Sequence, residues 1–403
     1  MISYNEALNI INENFQLLPK DKMDVNLLDS LNHVLGEDIV SDINQPAFDN
    51  SAVDGFAIIL TDNNRTWELI GEISAGNFSH FPLSPNTTVS IMTGAKIPSG
   101  CTAIIPIEDV SLHGSRVSLN EGAKLFKGIN IRLLGENLKV GQITVPQNTL
   151  ITASHISSLA DCGKSIITIN KPLKVGIFST GDELVDIDKI PTEDKIRATN
   201  IYSILALLKE NNLIGINLGF SNDDREVIKE KVRLAFDSDI DILLTTGGVS
   251  VGKYDFLKEV FEELGVERKF WRAYIKPGKP LYFGILKVNG NNKLVFGLAG
   301  NPVSSFVNLH AFLIPALEKF YNVNFNNKFY AITKSIFKKK DSKRHFVRAR
   351  FTLCDKHKTY EVSTEGSQSS ANMAGLSNSN CLVVLDEEKN IFEKGDIVEC
   401  IKI

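Results

Sequence analysis

Leu173-Lys174-Val175-Gly176-Ile177-Phe178-Ser179-Thr180-Gly181-Asp182-Glu183-Leu184 joins a short apolar run to a turn that holds small hydroxyl residues, a glycine and two acids. A run of this length suits a strand buried on both faces, and the glycine permits a tight turn at its carboxyl end. Similar units follow. A helical pattern near 200–211 leads to an apolar run at 215–220, a second near 224–236 leads to one at 240–245, and a third spans 255–264, closed by Gly265. Strands alternating with helices at this spacing predict a parallel sheet covered by helices. A buried strand is expected at 294–298, and Asn301-Pro302 supply an N-cap and first-turn pair for a helix reaching about 320.

On either side of this segment the patterning changes. Ser3 and Glu6 stand at capping-box spacing before Ala7, Leu8, Ile11 and Phe15 on one helical face, so 3–17 reads as an amphipathic helix. From about 37 to 150, runs at 57–60, 89–92, 103–106 and 143–145 are separated by Gly, Pro, Asn and Asp, the mark of a mostly β region. Beyond 325 the runs at 346–353, 360–362, 382–385 and 397–401 predict a small closing β domain. A chain of 403 residues exceeds what one hydrophobic core supports, which points to two to four domains.

Composition narrows the function classes. Apolar residues are 43% and charged residues 23%, as in a folded globular chain. With a net charge of -4, and basic residues clustered only at Lys338-Lys339-Lys340 and the nearby Lys343, Arg344, Arg348 and Arg350, there is no general case for nucleic acid binding. The five cysteines include no CxxC pair, so neither a zinc site nor a disulfide framework is signalled, and a reducing cytoplasm fits best. The first residues lack a basic and apolar leader pattern, and no stretch approaches ~18 uninterrupted apolar residues; secretion and membrane spanning are not expected.

In a parallel α/β sheet, ligands gather at the carboxyl ends of the strands, and the unusual sequence lies there. Asp182 and Glu183 could hold a divalent cation through oxygen ligands, although a plain strand-to-loop turn with solvated acids reads the same run equally well. Thr245-Thr246-Gly247-Gly248-Val249-Ser250-Val251-Gly252 allows close main-chain approach to an anion; the alternative is a structural turn with Asp255 as the N-cap of the next helix. Ile275-Lys276-Pro277-Gly278-Lys279-Pro280 sets two lysines on a stiff turn where they can converge on an oxyanion or simply be solvated. Gly297-Leu298-Ala299-Gly300-Asn301-Pro302-Val303-Ser304-Ser305 leads into a helix N-terminus, a natural anion site. Together these loops suggest a phosphate-bearing ligand with a metal ion. Neither a Walker A motif nor GxGxxG is present.

In order and spacing, 178–184 (FSTGDEL), 246–252 (TGGVSVG) with Asp255, 276–280 (KPGKP) and 300–304 (GNPVS) resemble the α/β domain of molybdopterin molybdenumtransferases and of the gephyrin E domain. The β region resembles that family as well, through Phe48-Asp49-Asn50-Ser51-Ala52, Asp54-Gly55-Phe56-Ala57, Ile91-Met92-Thr93-Gly94-Ala95, Asn130-Ile131-Arg132 and Gly135-Glu136. Nearly the whole chain is covered.

The resemblance implies a fold of α/β plus β class: an elongated multidomain subunit with a parallel-sheet α/β domain of molybdopterin-binding type, a β-rich N-terminal region and a small C-terminal β-barrel. It divides the chain into a helix at 1–22 that packs with the α/β domain, a linking domain of 23–45 and 140–170, a β-rich domain at 46–139, the α/β domain at 171–322 and a C-terminal β domain at 323–403. The implied activity inserts molybdenum from molybdate into adenylylated molybdopterin, with Mg2+-dependent release of AMP, in a cytoplasmic homodimer. Molybdopterin adenylyltransferase and chaperones of molybdoenzymes are the implied protein partners.

By the same resemblance Glu183 and Asp255, with Asp223 or Asp224, hold magnesium or position the phosphate. Thr180, Gly181, Asp182, Asn200, Gly247, Gly248, Ser250, Lys276, Lys279, Pro302 and Ser304 bind the substrates, with Arg348 and Ser370 contributing from the last domain. Asp54, Thr93 and Arg132 act across the dimer interface. The sequence departs from the family at Ala198, Asn137, Arg272, Ala299 and Lys343, none of them an acid assigned to magnesium. Competing readings are molybdopterin adenylyltransferase, which lacks the flanking β regions, a gephyrin-like scaffold, which needs neither Glu183 nor Asp255, and an insertase for tungsten.

Overall fold

The computed structural model describes residues 1–76, 80–249, 255–325, 327–355, 358–364, 366–370 and 372–403. Its centre is a six-stranded sheet in the order Ile214–Ser221, Lys174–Thr180, Ile242–Thr246, Asn291–Leu298, Leu281–Val288, Glu267–Trp271. The first four strands are parallel, as the alternating pattern predicts, and the last two run antiparallel at one edge. Those two strands were not expected. Leu281–Val288 is joined to Asn291–Leu298 by a hairpin at Asn289-Gly290, whose φ angles of 50° and 85° suit the left-handed turn that Asn-Gly favours, and Glu267–Trp271 pairs along the other side of Leu281–Val288.

Alternate residues of the sheet face two separate cores, as the pleat requires. Ile177, Leu244 and Phe296 pack toward the helices Tyr4–Phe15, Thr199–Glu210 and the helical run 302–321, whereas Phe178, Leu243 and Val295 pack toward Arg225–Asp237 and Leu257–Glu263. The first helix therefore completes one face of a sheet that begins 170 residues later in the chain. Its N-cap is Ser3, whose Oγ accepts from the Glu6 N–H at 3.2 Å, and it buries Ala7, Ile11 and Phe15 completely. Burial of the Ile and Phe side chains is worth roughly 1.5–3 kcal/mol each.

The linking region pairs Lys22–Asn26 with Ile166–Asn170 and Ile39–Val40 with Ile143–Val145, around Leu35, Ile39, Leu159 and Ile167. Beyond it, a six-stranded sheet of Gly55–Ile58, Thr66–Ile73, Thr87–Ile91, Ala103–Pro106, Val110–His113 and Arg116–Leu119 forms the β region.

The C-terminal strands close into a barrel. Arg344–Cys354 is long enough to pair with Cys381–Leu385 along its first half and with Thr359–Ser363 along its second; Lys328–Thr333 and Ile397–Lys402 complete the ring of five. The same long strand bonds in parallel to Ile275–Lys276, so the turn at 276–280 belongs to both the α/β unit and the barrel. Among the described residues no helix is long and apolar enough to cross a membrane.

Candidate active site

The residues singled out in the sequence gather at three places. The first is the carboxyl end of the central strands. Thr180 ends Lys174–Thr180, and the loop after Ile242–Thr246 turns sharply at Gly247 and Gly248, with φ of 87° and 61°. A Cβ on Gly247 would lie 2.4 Å from the Thr180 carbonyl oxygen, so only glycine allows the two strand ends to cross this closely. Asn200 donates from Nδ2 to the Gly300 carbonyl at 2.7 Å and ties a third loop to the same point. A cavity of about 600 Å³ results, lined by Thr180, Glu183, Asn200, Gly247 and Pro302 of the expected residues and by Arg197, which sequence reasoning did not select. Thr180 Oγ1 and Asn200 Oδ1 are buried and have no partner among the described residues. Buried polar atoms are nearly always satisfied, and two orphans on one cavity wall mark a place for a ligand or water.

The acids stand beside this cavity. Asp182 accepts the Asp223 N–H on Oδ1 at 2.9 Å. The Asp223 carboxyl is raised above its ordinary range, first by burial and then by the negative charges of Asp182, Glu183 and Asp255. Asp224 is placed differently: its Oδ1 accepts the N–H groups of Glu226 and Val227, both at 3.0 Å, as the N-cap of Arg225–Asp237. Of the two neighbours, Asp223 is therefore the one that faces the acids. Asp255 is not an N-cap; the helix begins at Leu257 with Phe256 in the capping position. Among the described residues no three His, Cys, Asp or Glu side chains are drawn together closely enough to hold a metal ion as they stand. Ser250, expected among the ligands, lies outside the described residues.

The second place is a cavity of about 900 Å³ between the α/β unit and the barrel. Lys276, Lys279, Ser304, Arg348 and Ser370 all line it, which brings together residues from three distant parts of the sequence. Lys338, Lys340 and Lys343 line it too, and among its described residues there is no Asp or Glu. The turn bearing the first two lysines is packed tightly: a Cβ on Gly278, whose φ is 94°, would meet Asn308 Oδ1 at 2.2 Å. Arg348 is 2% exposed and donates to the carbonyls of Asn372 at 2.6 Å and of Ser367 and Ser369 at 2.9 Å. Its guanidinium is thus committed to the 367–372 loop, and it acts on the cavity through its charge. Among the described residues no carboxylate answers that charge in a hydrogen bond, and a buried cation of this kind is stable when an anion approaches it.

The third place is the β region. Asp54 Oδ1 accepts both the N–H and the hydroxyl of Thr93 at 2.7 Å, which holds its carboxyl below the ordinary range. Arg132 lies in Ile131–Arg132, paired with Asn50 of Asn50–Ser51. None of these three lines either of the two cavities.

One helix start separates those cavities. Pro302 lines the smaller and Val303 and Ser304 the larger, and the Val303 N–H reaches the Ser370 carbonyl at 3.4 Å. An acid-flanked pocket and an all-cationic one within the width of a helix turn can receive the two ends of a process that handles a phosphate ester and a free oxyanion.

The chain is similar to known proteins along nearly its whole length. Three family models match in succession: the MoeA N-terminal region (domain I and II) over residues 2–163, a probable molybdopterin binding domain over 176–319, and the MoeA C-terminal region (domain IV) over 330–403. A molybdopterin molybdenumtransferase of Haemophilus influenzae is 36% identical over 380 residues, 93% of this chain and 92% of that protein. One from Staphylococcus epidermidis is 30% identical over 412 residues, 99% of this chain and 95% of its own. The crystal structure of the molybdopterin biosynthesis moeA protein of Pyrococcus horikoshii superposes with a TM-score of 0.85 at 26% identity, covering both chains completely.

Proposed function

The chain belongs to the molybdopterin molybdenumtransferase family, and from that premise we propose that it inserts molybdenum, taken from molybdate, into adenylylated molybdopterin and releases AMP. The observation that carries this reading is the cationic cavity, lined by five lysines and a buried arginine against one neighbouring carboxylate, Asp341, that pairs with Lys343 and His345, set beside the acid-flanked one. A tetrahedral dianion fits the first, and a phosphate ester that requires a cation fits the second.

The residues at the smaller cavity fit Mg2+ in kind: Glu183, Asp223 and Asp255 offer only oxygen donors, and the Asp223 carboxyl, raised first by burial, also feels the negative charges of Asp182, Glu183 and Asp255. When bound there, Mg2+ would neutralise the phosphoryl oxygens from which AMP departs. Thr180, Gly181, Asp182, Asn200, Gly247, Gly248 and Pro302 bind and orient the adenylylated pterin. Lys276, Lys279, Ser304 and Ser370 hold the oxyanion, with Ser250 assigned to the same group. Arg348 keeps the 367–372 loop in place and supplies charge.

We assign Asp54, Thr93 and Arg132 to a homodimer in which each β region serves the partner's cleft; a carboxylate held ionised by Thr93 and an exposed arginine suit contact with a polar substrate. The cytoplasm is the proposed compartment, in keeping with five cysteines that are all free. Molybdopterin adenylyltransferase as the donor and molybdoenzyme chaperones as acceptors complete the proposal.

The test incubates the purified protein with adenylylated molybdopterin, Mg2+ and molybdate, following AMP release and the reconstitution of a cofactor-free molybdoenzyme. Both signals, each dependent on molybdate, are expected. Binding of the pterin without turnover would replace the enzyme by a carrier or scaffold, and no binding would remove the proposal.

A further inference from the structure

Pro315 has no N–H, so in the α register the carbonyl of Ala311, four residues earlier, has no donor in its own helix. The helical run widens to π geometry over Leu309–Leu313, directly before that proline. Tyr4 of the first helix supplies the missing donor, its hydroxyl reaching Ala311 O at 3.0 Å. Burial pushes the Tyr4 phenol up to about 12, so it remains a donor wherever the protein is folded.

The ring of Tyr4 faces the barrel. The Arg344 guanidinium sits 4.3 Å from the ring centroid, and the Phe346 ring lies 5.9 Å away, while Phe312 packs at 5.3 Å from the α/β side. Arg344 is held in turn by Glu387 at 3.0 Å. One side chain thus joins the first helix, the helix that starts between the two cavities, and the barrel strand Arg344–Cys354.

This junction lies next to the lysine turn in the chain's bonding pattern. The Ile2 N–H donates to Arg272 O at 3.2 Å, and the Tyr274 N–H donates to Ile2 O at 2.8 Å. The next two residues, Ile275 and Lys276, pair with Arg344 and His345. Lys276 and its ladder partner His345, with Arg348 farther along the same barrel strand, line the larger cavity, as does Ser304 at the start of the helical run 302–321. Tyr4 itself does not line the cavity.

We propose that Tyr4 is a positioning residue for the oxyanion cavity: through Ala311 and Phe312 on one side and Arg344 and Phe346 on the other it seats the barrel strand, and the lysine turn paired with it, against the helical run that carries Ser304, so that molybdate affinity depends on a side chain that never touches molybdate. The inference rests on the assignment of the larger cavity to molybdate.

Three variants test it. Tyr4→Phe removes the hydroxyl and keeps the ring, Tyr4→Leu removes both, and Pro315→Ala returns a helical donor to Ala311. Equilibrium dialysis with molybdate, binding of adenylylated molybdopterin and the thermal midpoint are measured on each and on the double variant Tyr4→Phe/Pro315→Ala. Tyr4→Phe is expected to weaken molybdate about threefold to tenfold, the size of one buried hydrogen bond, and Tyr4→Leu further, with pterin binding held within about twofold. The double variant should regain thermal midpoint without regaining molybdate affinity. Parallel weakening of both substrates, or molybdate affinity that returns with the midpoint, would show that Tyr4 supports only the fold and would overturn the inference, as would unchanged molybdate affinity in Tyr4→Leu. Wild-type protein that binds the pterin and no molybdate would instead remove the cavity assignment, and the inference with it.

Discussion

The two cavities share a helix start and differ in almost everything else. The smaller is made from strand ends of a single sheet, with main chain crossing main chain at Gly247 and Thr180, and acids on its flank. Its geometry is local to the α/β unit. The larger is made from a turn of that unit and a wall of the barrel, with cations from residues 276 to 348, no acid among its described lining residues, and Asp341 paired with Lys343 and His345 beside it. Its geometry depends on how two units are held together. The difference teaches that one chain can build one pocket inside a single sheet, whose strand ends are fixed by that sheet's own backbone bonds, and another across two units, joined by the short Ile275–Lys276 ladder and by side chains.

The comparison breaks first at the acids. Glu183→Gln and Asp255→Asn remove charge with little change of shape, and each is expected to slow molybdate-dependent AMP release by on the order of 100-fold or more while the thermal midpoint stays within a few degrees. Wild-type rates in both would mean that the acid-flanked cavity does no chemistry.

The helix between the cavities offers a second test. His310 is buried, lies tilted against Phe306 with ring centroids 4.6 Å apart, and has no partner on either ring nitrogen among the described residues. Burial lowers it to about 4 from 6.5. The unfolded chain therefore takes up this proton first as pH falls: the stabilising contribution is present above pH 6.5 and is lost toward pH 4, amounting to roughly 3 kcal/mol over the window. His310→Leu should remove most of that acid-side loss, seen as urea midpoints at pH 7 and pH 4.5 that differ less than in the wild type. An unchanged acid limb would place the sensitivity elsewhere.

The smallest effect sharpens the contrast. Lys338→Ala with Lys340→Ala is expected to raise the molybdate concentration for half-saturation roughly threefold to tenfold at low ionic strength, with the gap closing near ~0.5 M salt and pterin binding unaffected. Salt-independent loss, or an equal loss of pterin binding, would show that these lysines do not act through the field of the larger cavity.

Much of the smaller site was legible because it is written in contiguous turns. FSTGDEL and TGGVSVG each end a strand, and strand ends of a parallel sheet meet by construction, so Thr180, Glu183 and Gly247 could be grouped before any coordinates. The choice between Asp223 and Asp224 could not be read, since adjacent residues differ only in which one the helix start claims as its cap. Likewise Asp255 had the composition of an N-cap, and the helix began two residues later. The edge strands Leu281–Val288 and Glu267–Trp271 went unread although Asn289-Gly290 signalled a hairpin, because the alternation of strand and helix favoured a purely parallel sheet. Lys338 and Lys340 stood out only as a charge cluster; that they face Lys276 depends on the pairing of Ile275–Lys276 with the barrel.

The sequence by itself determined the kinds of element, the turns that only glycine can make, the inventory of acids and lysines, and the family they resemble. These follow from local chemistry: side-chain period, capping, and backbone angles open to each residue. Only the tertiary structure decided which charges share a cavity, that Arg348 is spent on three carbonyls, and that Tyr4 completes a helix more than 300 residues away. Those outcomes come from contacts between distant segments, and nothing in the local order of residues records the distance between two walls.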